Sequence, residues 1–280
     1  MNFLKKIFHK FRVLIMTILG IGLPLFIYLG YVREDPLFEA QYDVEIGRQS
    51  VLSIENDSVE NPLLPIEKYP EAYAYLRNMV KEITLSEQVE YASLFKYDSI
   101  RIVHRDDVLN AFCTPGGYIY VYTGLIKYLD HPDHLAGVLG HEIAHAELRH
   151  SAVRLQKEFG REKILDFILF SGAGLGGYVQ AGILSKMLSL DYSRDQEAAA
   201  DEMSVVYLSD THYACDGAGG FFKKLVERGE DGAIPEMLSD HPDSSNRISS
   251  INAKAADLKC SCELTDPRGW EAMKESLPSN

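Results

Sequence analysis

Leu139-Gly140-His141-Glu142-Ile143-Ala144-His145-Ala146-Glu147 is the stretch on which the reading of this chain turns. His141 and His145 are four residues apart, which on a helix sets them one above the other on one face. Two imidazoles so placed can hold one zinc ion. Glu142, next to the first, can take the proton from a water on that ion; this is the H-E-x-x-H spacing. Zinc lowers the pKa of such a water to about 7, so hydroxide is available at neutral pH. Glu142 then passes the proton to a leaving amine, which makes peptide hydrolysis the expected chemistry.

The surroundings are helical. Pro132 suits a first helical turn, and Asp133 places favourable charge at that end. Leu135, Val138, Leu139 and Ile143 supply an apolar face, and no proline follows as far as Gly160. A catalytic zinc needs three protein ligands and one open position. His150, five residues past His145, is expected to point away from the face of the pair. The better third ligand lies in Ser193-Arg194-Asp195-Gln196-Glu197-Ala198-Ala199-Ala200-Asp201, a second helix with a small, alanine-rich surface that can approach the first closely. Glu197 is the expected ligand there. Asp201, one turn on, is placed to fix the tautomer of a ligand histidine. A solvated acidic face is the plainer alternative for Glu197 and Asp201, but it has little need of three consecutive alanines.

With these motifs the chain resembles the gluzincin metallopeptidases of the HtpX, Oma and CAAX-prenyl-protease kind. His141-Glu142-x-x-His145 followed by Ser193-Arg194-x-x-Glu197-x-x-Ala200-Asp201 carries the resemblance. Asn110-Ala111-Phe112, Pro115-Gly116-Gly117 and Gly124-Leu125-Ile126 match the segment before the zinc helix, and His241-Pro242 with Arg247 matches a late His-Pro motif. The resemblance covers about residues 70 to 255 and is nearest to the soluble-domain quality-control members. It implies an α+β, mainly helical zincin-like domain with a small sheet edging the cleft, and one Zn2+ per chain. It implies that Tyr118-Ile119-Tyr120-Val121-Tyr122 is the edge strand above the zinc, where a substrate backbone would pair. Gly116 and Gly117 would then admit the substrate, and Asn110 is a candidate donor, although an ordinary hairpin strand and a turn residue read equally well. Arg247 is expected to anchor the region of His241. His241 itself could donate to the oxyanion, occupy the open zinc position, or simply start a helix beside Pro242. Unfolded or misassembled proteins are the implied substrates.

Upstream, Lys5, Lys6, Lys10 and Arg12 precede an uncharged apolar run from Val13 to Val32. Its twenty residues would span about 30 Å as a helix, the thickness of a bilayer core. The basic flank predicts a cytoplasmic N-terminus and an extracytoplasmic catalytic domain. A cleaved signal peptide, giving a secreted protein, is the rival; the length of the run and the lack of an A-x-A site favour an uncleaved anchor. The net charge of −13 argues against nucleic acid as a partner. Oligomeric state is not legible. The four cysteines, Cys113, Cys215, Cys260 and Cys262, allow up to two bridges, with the pairing left open.

The expected organisation is an anchor over 1–32, a juxtamembrane linker over 33–68 with a short strand at Val51 to Ile54, a peptidase domain over 69–258 and a tail over 259–280. Helices are expected at Glu71 to Thr84, Leu125 to Leu129, Asp216 to Arg228 and Pro242 to Leu258, with a strand at Ser99 to His104. Residues 164–190 read as a glycine-broken helical hairpin. A chaperone-like assembly module with latent proteolysis is the alternative function, and a prenyl-protein protease would require several spans where one is convincing.

Overall fold

The protein is described here from a computed structural model, which covers residues 36, 38–170, 191–227 and 246–278. The apolar run Val13 to Val32, most of the expected hairpin (171–190) and His241 lie outside these described residues. Among the described residues, no helix is long and apolar enough to cross a membrane.

Among the described residues the domain is mainly helical with one three-stranded sheet. In chain order the described elements are α1 (Gln41–Asn56), α2 (Pro70–Ile83), β1 (Ile100–Val103), β2 (Ala111–Thr114), β3 (Tyr118–Tyr122), α3 (Thr123–Tyr128) and α4 (Pro132–Glu147). They continue with α5 (His150–Phe170), α6 (Arg194–Leu208), α7 (Gly217–Glu227), α8 (Arg247–Leu258) and α9 (Arg268–Glu275).

Helix α4 is the axis. Its residues are buried almost without exception, because it packs against α6, α7, β2 and α2 at once. A helix surrounded in this way needs apolar or small residues all round rather than one apolar stripe. Pro132 opens it, and the adjacent Asp133 carboxylate is shared among several donors. Asp133 accepts from the Ala214 N–H at 2.7 Å and from the Thr265 hydroxyl at 2.9 Å, and it faces His131 Nδ1 at 2.8 Å. One buried side chain thus ties the start of α4 to the segments before α7 and α9.

The sheet order is β1-β3-β2, with β1 parallel and β2 antiparallel to β3. This corrects the expectation that Tyr118 to Tyr122 forms the edge: β3 is the central strand, hydrogen-bonded on both sides. Ile119 and Tyr120 are buried within the fold, with Tyr120 stacked on Phe112 at 4.9 Å. The outer side of β1 is also taken. Leu64 N–H donates to Ile102 O, and His104 N–H to Pro62 O. The remaining edge among the described residues is β2, which packs on α4. Gly116 and Gly117 form the tight turn between β2 and β3, with φ of 76° and 85°. A Cβ on Gly116 would lie 2.5 Å from Val44 Cα, and one on Gly117 2.9 Å from Phe95 Cβ. The two glycines therefore let the turn pack under the protein's own chain.

Within the expected linker, residues 41–56 form helix α1, including the Val51 to Ile54 segment expected as a strand. Val51 and Ile54 are three apart and lie on one helical face beside Ile46 and Gly47, the buried side of α1. The tail is also built into the core. Trp270 on α9 is fully buried, and its indole N–H donates to Leu129 O at 3.3 Å. Cys215 and Cys260 form a disulfide between the approach to α7 and the end of α8, while Cys113 and Cys262 are free thiols.

The approach of α4 to α7 is set by backbone contact. A Cβ on Gly137 would stand 1.9 Å from Ala218 N and 2.3 Å from Gly217 C. Alanine is favoured over glycine in a helix by about 1 kcal/mol, but forcing two backbones apart costs about 3 kcal/mol. The steric term wins by about 2 kcal/mol, so Gly137→Ala should lower the thermal midpoint by roughly 4 to 8 °C, measured by circular dichroism; an unchanged or raised midpoint would show that α7 yields freely.

Candidate metal centre

The centre is assembled from α4 and α6. His141 and His145 project from one face of α4 with ring centroids 4.6 Å apart. Helix α6 is started by a capping box: the Ser193 hydroxyl accepts from Gln196 N–H, and the Gln196 side chain accepts from Ser193 N–H. That start fixes the rotation of α6 and turns Glu197 and Asp201, one turn apart, toward α4. The alanine run matters less than expected. Ala200 is buried, but Ala198 is exposed.

His141, His145 and Glu197 are brought together, all of them buried. The two Nε2 atoms are 3.0 Å apart. One oxygen of Glu197 is 3.4 Å from His141 Nε2, and the other is 3.4 Å from His145 Nε2. Four ligands at about 2.0 to 2.1 Å from a tetrahedral ion are about 3.3 Å from one another. The observed spacings are those of donors facing a single ion, and two imidazoles with a carboxylate suit zinc. The charges fit as well. Glu142, Glu197 and Asp201 are buried carboxylates, and Arg247 is the buried cation among them. With both imidazoles neutral, this set carries an excess of two negative charges, which a divalent cation cancels.

Asp201 and Arg247 complete the support on one side. Asp201 Oδ1 lies 2.9 Å from His141 Nδ1. Arg247, at the start of α8, donates to both Asp201 oxygens, at 2.7 Å from Nε and 2.6 Å from Nη2, and its Nη1 is 3.1 Å from Glu197. Burial works against the Asp201 carboxylate, but Arg247 and His141 hold its pKa below the usual range. Burial alone would also depress His141; the Asp201 and Glu197 carboxylates overcome it and raise its pKa to about 9. The ionised Asp201 carboxylate can only accept, so the proton facing it sits on Nδ1 of His141, and an ion at Nε2 would take the place of the second proton.

Glu142 is buried beside His141. Its Oε2 accepts the N–H of Cys113, on β2, at 3.2 Å. Asn110 is buried at the head of β2, where its carbonyl accepts from Tyr122 N–H at 3.1 Å. Gly116, Gly117, Tyr118, Ile119 and Tyr120 belong to the turn and the central strand described above and are not brought to the centre as a substrate edge.

The environment of His145 differs from what its sequence neighbours suggest. His150 Nδ1 lies 2.8 Å from His145 Nδ1, so it turns toward the ligand rather than away from it. The reason is a helix break: α4 ends at Glu147, and Arg149 adopts a left-handed φ of 54° before α5 begins. Arg149 is held there by Asp43 of α1, at 2.6 and 3.1 Å, and by Phe38 O at 2.8 Å. Tyr192 stacks on the His145 ring, with centroids 3.8 Å apart. No glycine or asparagine announces the break at Arg149, and Tyr192 precedes its helix without forming part of the apolar periodicity.

Comparison with known proteins agrees with this geometry. Residues 70–255 match the model of peptidase family M48. Mitochondrial metalloendopeptidase OMA1 of Schizosaccharomyces pombe is 30% identical over 166 residues, covering 59% of this chain and 49% of that protein. Metalloprotease YcaL of Escherichia coli is 28% identical over 165 residues, covering 56% and 62%. The beta-barrel assembly-enhancing protease of Yersinia pestis is 30% identical over 168 residues, covering 55% and 34%. The matched segment thus spans about half or less of the OMA1 and assembly-protease relatives.

Because Asp201 orients His141 and balances Arg247, Asp201→Asn should weaken zinc binding by roughly 10- to 100-fold. Competition against a chromogenic chelator measures this; an unchanged affinity would mean that the carboxylate does not support the ligand.

Proposed function

This chain belongs to peptidase family M48, and on that premise we propose that it is a zinc-dependent metalloendopeptidase with His141, His145 and Glu197 as ligands and Glu142 as general base. The convergence of three buried donor groups at tetrahedral spacing, with a fourth carboxylate beside them, carries this reading. Zinc, when bound, supplies a Lewis acid that polarises a carbonyl and acidifies a water.

The chain's own residues do the rest. Glu142 accepts a proton from the attacking water and later gives it to the leaving amine. The Cys113 N–H holds one oxygen of Glu142, so the carboxylate keeps its orientation between the two transfers. Arg247 bridges Asp201 and Glu197 and offsets part of the repulsion between the two acidic side chains. His241, outside the described residues, is the proposed donor to the oxyanion.

The substrate backbone is proposed to pair with β2. In the antiparallel pair, Phe112 and Thr114 stand opposite Tyr120 and Tyr118, and the Asn110 carbonyl already bonds Tyr122. Alternation along a strand then turns the backbone groups of Ala111 and Cys113 away from β3, and the Cys113 contact to Glu142 lies on that side. An added strand there would bring its carbonyls past the centre, which suits a protease that accepts many sequences. Unfolded or misassembled proteins are the proposed substrates, a choice supported by relatives whose names include endopeptidases and an assembly-enhancing protease. The run Val13 to Val32 is the proposed membrane anchor, with the domain on the extracytoplasmic side.

Glu142→Gln should bind zinc as the wild type does and lose cleavage of a fluorogenic peptide by a factor of roughly 10² to 10⁴. Cleavage at the wild-type rate by that variant would sink the mechanism. Deleting residues 1–32 should move the protein from carbonate-washed membranes to the soluble fraction, followed by immunoblot, and continued membrane retention would refute the anchor.

A further inference from the structure

The two histidines of the centre are supported in different ways. His141 has a carboxylate behind it. Behind His145 stand a second imidazole and a tyrosine ring. His145 can offer Nε2 to an ion only if its proton sits on Nδ1, and Nδ1 is 2.8 Å from Nδ1 of His150. At that distance one nitrogen donates and the other accepts. If His145 Nδ1 donates, His150 Nδ1 must be its acceptor and His150 must carry its own proton on Nε2.

The ring of Tyr192 covers a face of His145, with centroids 3.8 Å apart and planes 24° from parallel. Tyr192 is itself held at several points. Its hydroxyl is 2.8 Å from the Ser151 hydroxyl, and the Arg154 guanidinium lies 3.7 Å from its ring centre. His150, Ser151 and Arg154 all come from the first turns of α5, just past the left-handed Arg149. The Asp43–Arg149 ion pair therefore sets the position of the whole group.

We propose that His150 and Tyr192 are positioning residues for His145: His150 fixes its tautomer as a neutral hydrogen-bond acceptor, and Tyr192 fixes the plane of its ring. The inference rests on the zinc reading above and deepens it. A carboxylate behind a ligand imidazole raises its basicity, and a neutral imidazole does so less. The contact to His150 therefore acts on His145 by position, keeping the proton on Nδ1 and Nε2 aimed at the ion site. A neutral acceptor also avoids a further buried negative charge in a centre that a divalent cation already balances.

The test compares His150→Asn with His150→Leu. Asparagine places a carbonyl oxygen close to the position of Nδ1 and keeps the acceptor; leucine has similar size and removes it. His150→Leu should lose roughly 10- to 100-fold in zinc affinity by chelator competition, while His150→Asn stays within about threefold of wild type. Equal affinities for the two variants would overturn the proposal. Wild-type protein that binds no zinc would instead overturn the metal reading itself, so the two failures are distinguishable. A second measurement needs no variant and covers the case in which His150→Leu does not fold. In zinc-loaded wild type, imidazole nitrogen resonances should show His145 protonated at Nδ1 and coordinated through Nε2, with the Nδ1 proton bonded to His150. Coordination of His145 through Nδ1 would overturn the proposal. Tyr192→Leu removes the ring and should lower zinc affinity by roughly 10-fold; unchanged affinity in that variant would show that the stack does not hold His145.

Discussion

Buried negative charge is the constraint around which this molecule is arranged. Glu142, Glu197 and Asp201 are each 2% exposed or less. Isolated carboxylates at such depth would cost several kcal/mol apiece. Arg247, itself buried, offsets part of that cost by reaching Asp201 with two nitrogens and Glu197 with a third. Its guanidinium also lies 4.1 Å from the centre of the Phe222 ring on α7, so the cation is packed as well as paired. The planar fork of arginine serves two carboxylates at fixed angles, which a lysine ammonium would not do. Arg247 begins α8, and the packing of α8 on α6 and α7 follows from where that one side chain must stand.

The second requirement is closeness. Donor atoms 3.4 Å apart on two helices demand that the helices nearly touch. Gly140 faces Ser204 and Leu208 of α6, and Gly137 faces the backbone of α7. Small residues on α4 thus do for the geometry what Arg247 does for the charge. With neighbours on every side, α4 has little freedom to rotate, and a ligand set on it keeps its orientation.

The centre was more legible in the sequence than the frame around it. His141, Glu142, His145, Glu197 and Asp201 are polar residues at helical spacing in apolar or small surroundings, and local spacing is what a sequence displays. The place of β3 in the sheet is not legible in its residues. Alternation shows that Tyr118 to Tyr122 is a strand but says nothing of its neighbours, and the position of a strand in a sheet is decided by long-range pairing. The four-residue β2 was too short to show a period. Loop punctuation at Asn56-Asp57-Ser58 and the prolines beyond it mask helix α1, whose Asp43 is paired with the distant Arg149. The same arginine concealed the end of α4. A left-handed residue is usually glycine or asparagine, and here an ion pair and a backbone carbonyl hold an arginine in that conformation. Helical spacing therefore misplaces His150, because the helix does not continue through Arg149.

Strand β2 joins these parts. In the proposed mechanism its outer edge would receive the substrate, and the Cys113 N–H on that edge holds Glu142. The base is thereby positioned by the surface that would position the scissile bond, so any shift of β2 relative to α4 moves both together. A base mounted only on α4 would keep its relation to the ligands but lose its relation to the substrate if the strand moved. In that mechanism, linking the two would preserve the alignment of base, water and carbonyl, to which proton-transfer catalysis is most sensitive. The central place of β3 follows from the same need: a strand bonded on both sides and packed against the core gives β2 a firm backing that a lone edge hairpin would lack.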